Sequence, residues 1–231
     1  MKAVVSLSGG MDSATLLASV LAKGYEALCI GFQYPSKHNR WEQDAAIRVA
    51  AHYKVPFRWV DLMTVFRGFT SHLLTTGGPI PEGHYADDNM RLTVVPARNI
   101  VFCSVLAGIA WNEGAGDVFI GVHAGDHAIY SDCRPQFVCD MRNAIHSGTD
   151  KRVNLQAPFL HVDKAEILRR GLELGVPYGL TRTCYTSDAV ACGRCGSCTE
   201  RRLAFAACGV LDPVPYQHTD PLLTAPEHQS P

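Results

Sequence analysis

The chain has 231 residues, of which 47% are hydrophobic and 19% are charged, a composition that can bury one sizeable core. Its formal net charge is -1, so the chain does not have the excess of Lys and Arg with which proteins usually bind nucleic acid. We therefore expect no stable nucleic-acid partner. The longest apolar stretch, residues 101–111, is too short to cross a bilayer, and the first residues do not form a signal peptide, so we expect a cytoplasmic protein without membrane contacts.

Apolar strands and amphipathic helices alternate through most of the chain. The predicted elements are a strand at 3–7, a helix at 13–23, a strand at 27–32, a helix at 41–54, a strand at 57–60, a helix at 98–112, a strand at 117–122, a helix within 132–146, a strand near 153–157 and a helix after Asp163. The first strands are apolar throughout, as in strands that helices cover on both faces. We therefore predict an α/β fold with a doubly wound, Rossmann-like parallel sheet.

Two stretches of the chain interrupt this pattern. Residues 64–92 are rich in turn formers, and we predict a long loop over the carboxyl ends of the strands. Residues 212–231 hold five of the 13 prolines, which predicts an extended or disordered tail. We therefore divide the chain into an α/β domain at 1–180, a cysteine-rich segment with a helix at 181–211, and the tail.

Between the first strand and the first helix the chain reads Ser-Gly-Gly-Met-Asp-Ser, from Ser8 to Ser13. Tandem glycines let backbone N–H groups approach an anion, and the two serine hydroxyls can donate to phosphate oxygens. Asp12 could hold Mg²⁺ or cap the helix. The pattern has neither the Gly-Lys-Ser/Thr ending of a Walker loop nor the spacing of a dinucleotide fold. The simpler alternative is a Gly-Gly turn with a polar N-cap.

Near the C-terminus, Cys184, Cys192, Cys195 and Cys198 have the spacing C-x7-C-x2-C-x2-C. Overlapping C-x2-C steps bring several thiolates to one tetrahedral ion, which favours a structural zinc knuckle. An iron–sulfur cluster is the second interpretation, because four cysteines also suit it. Unconnected buried thiols or a redox C-x-x-C pair are the remaining alternatives.

The segment 8–13 resembles the complete signature of the pyrophosphate-loop ATP pyrophosphatases. The resemblance implies an adenine nucleotide alpha hydrolase-like fold, ATP bound with Mg²⁺, and adenylation of a substrate oxygen with release of pyrophosphate. It assigns catalytic roles to Asp12 and Ser13. It places the nucleotide contacts at Leu7, Ser8, Gly9, Gly10, Met11, Asp12, Ser13, Ala14, Thr15, Leu16 and Leu17.

Further segments resemble the 7-cyano-7-deazaguanine synthase family, which makes the nitrile precursor of queuosine and archaeosine. They lie at 32–42, 95–99, 121–135, 163–166 and 183–198. The resemblance implies that 7-carboxy-7-deazaguanine and ammonia are joined at the expense of ATP, through an adenylated carboxylate and then an amide. It also implies a homodimer. Because the chain contains no glutaminase domain, we expect free ammonia as the nitrogen donor.

Within those segments, His38 and Arg98 are candidate catalytic residues, and His123 is a weaker one. A deazaguanine offers an apolar face and a donor edge, so an aromatic ring and carboxylates are expected around it. The candidate substrate contacts are Asp126, Tyr130, Asp132 and Arg134. Each arginine could equally form a structural ion pair, and His38 could be a surface residue at a helix start.

The chain departs from the family at residues 33–38, which read Gln-Tyr-Pro-Ser-Lys-His where Asp-Tyr-Gly-Gln-Arg-His is usual, and again at 127–131. These departures affect contacts more than the reaction. Alternative functions are another pyrophosphate-loop enzyme, such as a tRNA thiolase, a lysidine synthase or NAD synthetase, and a zinc-ribbon binding module without catalysis. A binding module leaves the phosphate loop and the sheet unexplained.

Overall fold

A computed structural model describes residues 1–84 and 88–219 of the protein. Its strands are β1 (Lys2–Ser6), β2 (Glu26–Gln33), β3 (Phe57–Asp61), β4 (Asp117–Phe119) and β5 (Asn154–Gln156). Its helices are α1 (Met11–Ala22), α2 (Asn39–His52), α3 (Arg98–Asn112), α4 (Pro135–Gly148), α5 (Lys164–Glu173) and α6 (Gly196–Ala207). Within the described ranges no helix is long and apolar enough to cross a membrane.

The strands form one parallel sheet in the order β3-β2-β1-β4-β5 within the described residues. Successive side chains of β1 point to opposite faces: Val4 joins the core under α3 and α4, whereas Ala3 and Val5 join the core under α1, α2 and α5. Both faces of the sheet are therefore covered, and the prediction of a doubly wound, Rossmann-like fold is confirmed.

The bounds of the elements agree with the predicted ones most closely at α3, which spans the residues predicted for it. The helix predicted after Asp163 is also present, and the Asp163 carboxylate accepts a hydrogen bond from the Glu166 N–H at 2.7 Å. The strand predicted at 117–122 is too long, since β4 ends at Phe119. The Ile120 N–H still donates to the Gln156 carbonyl at 3.0 Å, and residues 120–123 then line a cleft at this edge of the sheet.

The predicted loop at 64–92 is only partly irregular, since it contains the 3₁₀ helix Asp88–Thr93. Its residues 85–87 lie outside the described residues. Phe66, Leu73 and Met90 from this segment are fully buried in the core under α3. Leu74 bridges to Ser36, just beyond the end of β2, so the segment does cover the carboxyl edge of the sheet. In the predicted tail, residues 220–231 lie outside the described residues.

The turn between β1 and α1 depends on Gly9. Its φ is +84°, and a Cβ there would lie 2.5 Å from the Ala46 nitrogen and 2.8 Å from the Glu42 carbonyl oxygen. Its own carbonyl accepts a hydrogen bond from the Arg182 N–H at 2.8 Å. Helix α2 therefore packs directly on the backbone of this turn, at a distance that only glycine permits.

Replacing Gly9 by Ala should destabilise the protein more than the same change at Gly24. Both residues have a positive φ, which costs an alanine about 1–2 kcal/mol, but the space around Gly24 is open as far as the described residues show. The clash with α2 should add about 1–3 kcal/mol for Gly9→Ala. Chemical denaturation of both variants measures the difference, and equal losses would contradict the close packing.

Candidate active site and cysteine cluster

A cleft opens at the carboxyl ends of the central strands, between the turn after β1 and the start of α3. Its empty space, together with the solvent at its mouth, is ≈ 1240 Å³. Open parallel sheets bind ligands at this position because the strand order reverses there. The polar side chains that line it are Ser8, Asp12, Ser13, His38, Glu42, Arg98, Asn99, His123, Asp126, Lys164, Arg182, Thr183 and Ser197.

The turn from Ser8 to Ser13 faces the cleft with its polar groups. The Ser8 and Ser13 hydroxyls lie 3.2 Å apart, and the Ser13 hydroxyl donates to the Gly10 carbonyl at 3.0 Å. Gly10 is the N-cap of α1 and forms no side-chain cap hydrogen bond within the described residues, so the first N–H groups of the helix can serve an anion. The predicted phosphate loop therefore has suitable chemistry.

The predicted nucleotide contacts separate into two groups. Those that line the cleft are Leu7, Ser8, Gly10, Asp12 and Ser13. The others face inward: Gly9 lies against α2, and the Thr15 hydroxyl contacts the Tyr178 hydroxyl at 2.7 Å. The core under α1 contains Met11, Ala14, Leu16 and Leu17. These inward residues support the loop through packing.

Asp12 lies in a cluster of charged groups at the N-terminus of α1. Its Oδ2 is 3.2 Å from Lys164 Nζ and 3.9 Å from His123 Nε2. His123 Nε2 is also 3.7 Å from Asp126 Oδ2, and Lys164 Nζ is 2.6 Å from Glu200 Oε2. Asp12 Oδ1 is buried and has no hydrogen-bond partner among the described residues. A carboxylate oxygen without a hydrogen-bond donor could serve as a ligand to a hard cation such as Mg²⁺.

His38 and Glu42 form a second polar pair, at the start of α2. His38 Nε2 lies 3.6 Å from Glu42 Oε2, and His38 is 2% exposed. Burial lowers the pKa of His38 to about 4, so its ring is neutral at neutral pH. Burial raises the pKa of Glu42 to about 7, although Arg98 and Arg182 oppose the shift. Glu42 is therefore the member of the pair that exchanges a proton near neutral pH.

Aromatic and cationic side chains form the opposite wall of the cleft. The rings of Phe32 and Phe102 stack with their centroids 4.1 Å apart. The Trp59 indole fills the space beside Gly31, and its N–H is buried without a hydrogen-bond partner among the described residues. Arg182 donates to three carbonyls of the loop at 186–189, which fixes its guanidinium. The wall can thus contact a flat ring and a negative charge together.

Of the four predicted substrate contacts, Asp126 is among the residues that line the cleft. The Tyr130 hydroxyl instead contacts the Thr93 hydroxyl at 2.7 Å, and Asp132 accepts from the Asn99 N–H at 2.9 Å. Arg134 is exposed and donates to the His127 carbonyl at 2.9 Å. The last three side chains hold the 123–134 segment in place, and their contact with substrate stays a prediction.

The structure adds residues that the sequence did not single out, three that line the cleft and one, Glu200, that contacts a lining residue. They are Glu42, Lys164, Arg182 and Glu200. Glu42 and Lys164 stand in segments that resemble a known family, which was a usable signal. Glu200 stands on α6 with no motif around it, and its role depends on a partner 36 residues away in sequence.

The four clustered cysteines are all buried, and their sulfur atoms all lie within 4.8 Å of one another. Cys192 and Cys198 sulfurs are 3.9 Å apart, close to the edge of about 3.8 Å in a tetrahedron with zinc–sulfur bonds of about 2.3 Å. Backbone N–H groups point at two sulfurs, as from Cys192 to Cys184 at 3.3 Å. The cluster could therefore hold a tetrahedral metal ion.

Arg201 joins the cysteine segment to the rest of the protein. It is 1% exposed and pairs with Asp212 through two hydrogen bonds of 2.7 and 2.8 Å. It also donates to the Thr181 hydroxyl and the Tyr178 carbonyl. Beyond Asp212, the Gln217 N–H donates to the Ala191 carbonyl at 2.8 Å. Residues on both sides of the cysteines are thus tied to α6.

Comparison with known proteins gives matches over nearly the whole chain. Residues 2–209 match the family model described as queuosine biosynthesis protein QueC. The 7-cyano-7-deazaguanine synthase of Caldicellulosiruptor bescii is 47% identical over 217 residues, which is 94% of this chain and 98% of that protein. That of Methanoregula boonei is 45% identical over 94% of this chain and 100% of that protein.

Among solved structures, an NMN synthetase from Francisella tularensis is similar with a TM-score of 0.46 and 14% identity. The match covers 79% of this chain and 65% of the synthetase. The two synthases, at 47% and 45% identity, are much more similar to this chain in sequence than the NMN synthetase is.

Replacing Glu42 by Gln should change how stability depends on pH. The raised pKa means that the folded state holds the Glu42 proton more tightly than the unfolded state, and this stabilisation is lost as pH rises from 4.5 to about 7. Relative to wild type, Glu42→Gln should therefore gain up to about 3 kcal/mol of unfolding free energy between about pH 5 and about pH 8. Denaturant unfolding at both pH values measures this gain.

The exposed Glu173 on α5 provides the matched control, because Glu173→Gln removes the same charge from the surface. Its stability relative to wild type should change much less with pH. If the difference in unfolding free energy between Glu42→Gln and wild type did not change with pH, Glu42 would ionise in the folded protein as it does in water.

Proposed function

The chain belongs to the QueC family of queuosine biosynthesis proteins, and from this premise we propose that it converts 7-carboxy-7-deazaguanine and ammonia to 7-cyano-7-deazaguanine at the expense of ATP. Relatives at 47% and 45% identity carry the name 7-cyano-7-deazaguanine synthase, so the chain is a synthase. One observation carries the proposal: the match includes both the phosphate loop in the cleft and the four cysteines.

The first step we propose is adenylation of the substrate carboxylate. A carboxylate oxygen attacks the α phosphorus of ATP, and pyrophosphate leaves. The hydroxyls of Ser8 and Ser13 and the N–H groups at the start of α1 hold the phosphates at the edge of the sheet. Asp12, whose Oδ1 lacks a hydrogen-bond partner among the described residues, would hold Mg²⁺, and the ion would compensate charge on the phosphates. The catalytic work of the chain at this step is positioning and charge compensation.

The second step forms the carbon–nitrogen bond. Ammonium must first lose a proton, and Glu42 can accept it because its pKa lies near 7 inside the cleft. Ammonia then attacks the acyl carbon, the attacking nitrogen releases one proton to solvent, AMP leaves, and an amide remains. His38, neutral and 3.6 Å from Glu42, acts by orienting that carboxylate. Arg98 faces the same region and can balance negative charge on the adenylate.

The third step removes the amide oxygen. This oxygen attacks the α phosphorus of a second ATP, pyrophosphate leaves, and the adenylated amide then loses AMP and its two N–H protons to give the nitrile. The same phosphate loop serves both activations, so the cleft must exchange nucleotide while it keeps the amide. The aromatic wall at Phe32 and Phe102, together with Asp126, is the part of the cleft that suits the deazaguanine ring.

We also propose that the four cysteines bind zinc in a closed, structural site. All four sulfurs are buried, so no coordination position faces the cleft within the described residues. A closed set of four thiolates is the usual structural zinc site, and such an ion contributes folding free energy.

The reaction can be tested with purified protein, ATP, Mg²⁺, ammonium and 7-carboxy-7-deazaguanine, with mass spectrometry of the deazaguanine and quantification of AMP and pyrophosphate. We expect the nitrile, with nucleotide cleaved between the α and β phosphates. Asp12→Ala and Ser13→Ala should abolish turnover, because both side chains face the cleft.

Ser19→Ala is the control for these variants, since Ser19 is on the same helix and donates to the Thr15 carbonyl instead of lining the cleft. It should retain full activity. ATP cleavage that is independent of the acid, or full activity of Ser13→Ala, would contradict the proposed function.

Zinc binding predicts different behaviour for two cysteine variants. Cys198→Ser should lose the metal and lower the unfolding temperature by at least about 5 °C, because it removes one of the four thiolates. Cys139→Ser should keep the metal and the wild-type unfolding temperature, since Cys139 is exposed on α4 and outside the cluster. Metal analysis and thermal unfolding measure the two effects. A wild-type protein that contains iron, or a stable metal-free Cys198→Ser variant, would contradict the zinc assignment.

A further inference from the structure

Helix α6 reaches from the cysteine cluster to the phosphate loop. Its first turn carries Cys198, and two residues later Glu200 places Oε2 2.6 Å from Lys164 Nζ. On the other side, the same ammonium group lies 3.2 Å from Asp12 Oδ2. We infer that Glu200 is a positioning residue of the nucleotide site, which restrains Lys164 to one oxygen of Asp12 and so leaves the other oxygen without a partner among the described residues. This inference rests on the proposed function of the loop.

The three charged groups are well shielded from water. The side chains are exposed by 7% for Lys164, 16% for Glu200 and 22% for Asp12. Burial alone would lower the pKa of Lys164, but the nearby carboxylates of Asp12 and Glu200 reverse this and raise it. The ammonium therefore stays charged, and its position is fixed by two carboxylates instead of one.

Glu200 itself has little freedom to move. A Cβ added at Gly125 would lie 2.6 Å from Glu200 Oε1, so this oxygen sits against the backbone of Gly125. Gly125 belongs to the short 3₁₀ turn Ala124–Ala128, and its N–H donates a hydrogen bond to His123 Nδ1. Asp126 belongs to the same turn. The carboxylate of Glu200 is thus held between Lys164 and the wall of the cleft. Such a rigid arrangement is what a positioning role requires.

The effect of Glu200 on Asp12 follows from the donors of an ammonium group. Lys164 has three N–H donors and no acceptor, and without Glu200 the Asp12 carboxylate would be its nearest charged partner. The ammonium would then move toward Asp12 and cover both carboxylate oxygens. With Glu200 present, Lys164 contacts Oδ2, and Oδ1 stays without a hydrogen-bond partner among the described residues. Asp12 Oδ1 is therefore the oxygen that still lacks a partner, and a cation bound with the phosphates would supply one.

Glu200→Gln tests this role, with Glu173→Gln as the matched control on an exposed helix face. We expect kcat to fall about 10- to 100-fold, since displacing a group by about 1 Å can cost about 100-fold in rate. Calorimetry should also show weaker binding of Mg·ATP. The KM for 7-carboxy-7-deazaguanine should change little, because Glu200 does not line the cleft among the described residues.

A double variant separates positioning from general stability. In Lys164→Met/Glu200→Gln, the loss in kcat should be close to that of Lys164→Met alone, because Glu200 acts through the ammonium. Additive losses would overturn the inference. If Glu200→Gln does not fold, Glu200→Asp keeps the charge and shortens the side chain, and it should give an intermediate kcat. Wild-type kcat in Glu200→Asp with unfolded Glu200→Gln would assign Glu200 to the fold alone and overturn the inference.

Failure of the positioning role and failure of the proposed function give different results. A wild-type protein that consumes Mg·ATP with the acid, together with equal kcat and Mg·ATP affinity in Glu200→Gln and Glu173→Gln, would overturn the positioning role and leave the proposed function intact. A wild-type protein that does not bind Mg·ATP would overturn the proposed function, and the positioning role with it.

Discussion

The close packing of α2 on the backbone of Gly9 sets the shape of the site. Because Gly9 has no side chain, the Glu42 carbonyl and the Ala46 nitrogen can approach the turn after β1. This contact brings the start of α2, with His38 and Glu42, beside the start of α1. The same turn accepts a hydrogen bond from the Arg182 N–H, which places the segment before the cysteines against it. Three parts of the chain thus meet at one backbone turn.

The charges of the cleft are balanced before any ligand binds. Asp12 and Glu200 compensate Lys164 on one side, while Arg98 and Arg182 face Glu42 on the other. Buried charges are stable only when they are paired in this way. This local balance also agrees with the near-neutral charge of the whole chain.

The fold could be predicted from the sequence because its signals are local. Apolar strands, amphipathic helices and the Asp163 cap each lie within a short window, and α3 was predicted to the residue. The length of β4 was wrong because residues 120–122 continue its apolar pattern in sequence but line the cleft in the folded chain. The division at 1–180 and 181–211 and the homodimer stay predictions.

The site was only partly predictable. The phosphate loop and the cysteines have fixed spacings, so their residues stood out. Glu200 and Lys164 meet only in the folded chain, and each resembles an ordinary helix residue. Tyr130 and Asp132 have the chemistry of substrate contacts, yet neighbouring hydroxyl and N–H groups already bind them.

The pair of Arg201 with Asp212 has a consequence for biosynthesis, because the chain is made from its N-terminus. The sheet and both layers of helices can form on the ribosome, whereas the cysteine site is enclosed only after residues 212–218 have emerged.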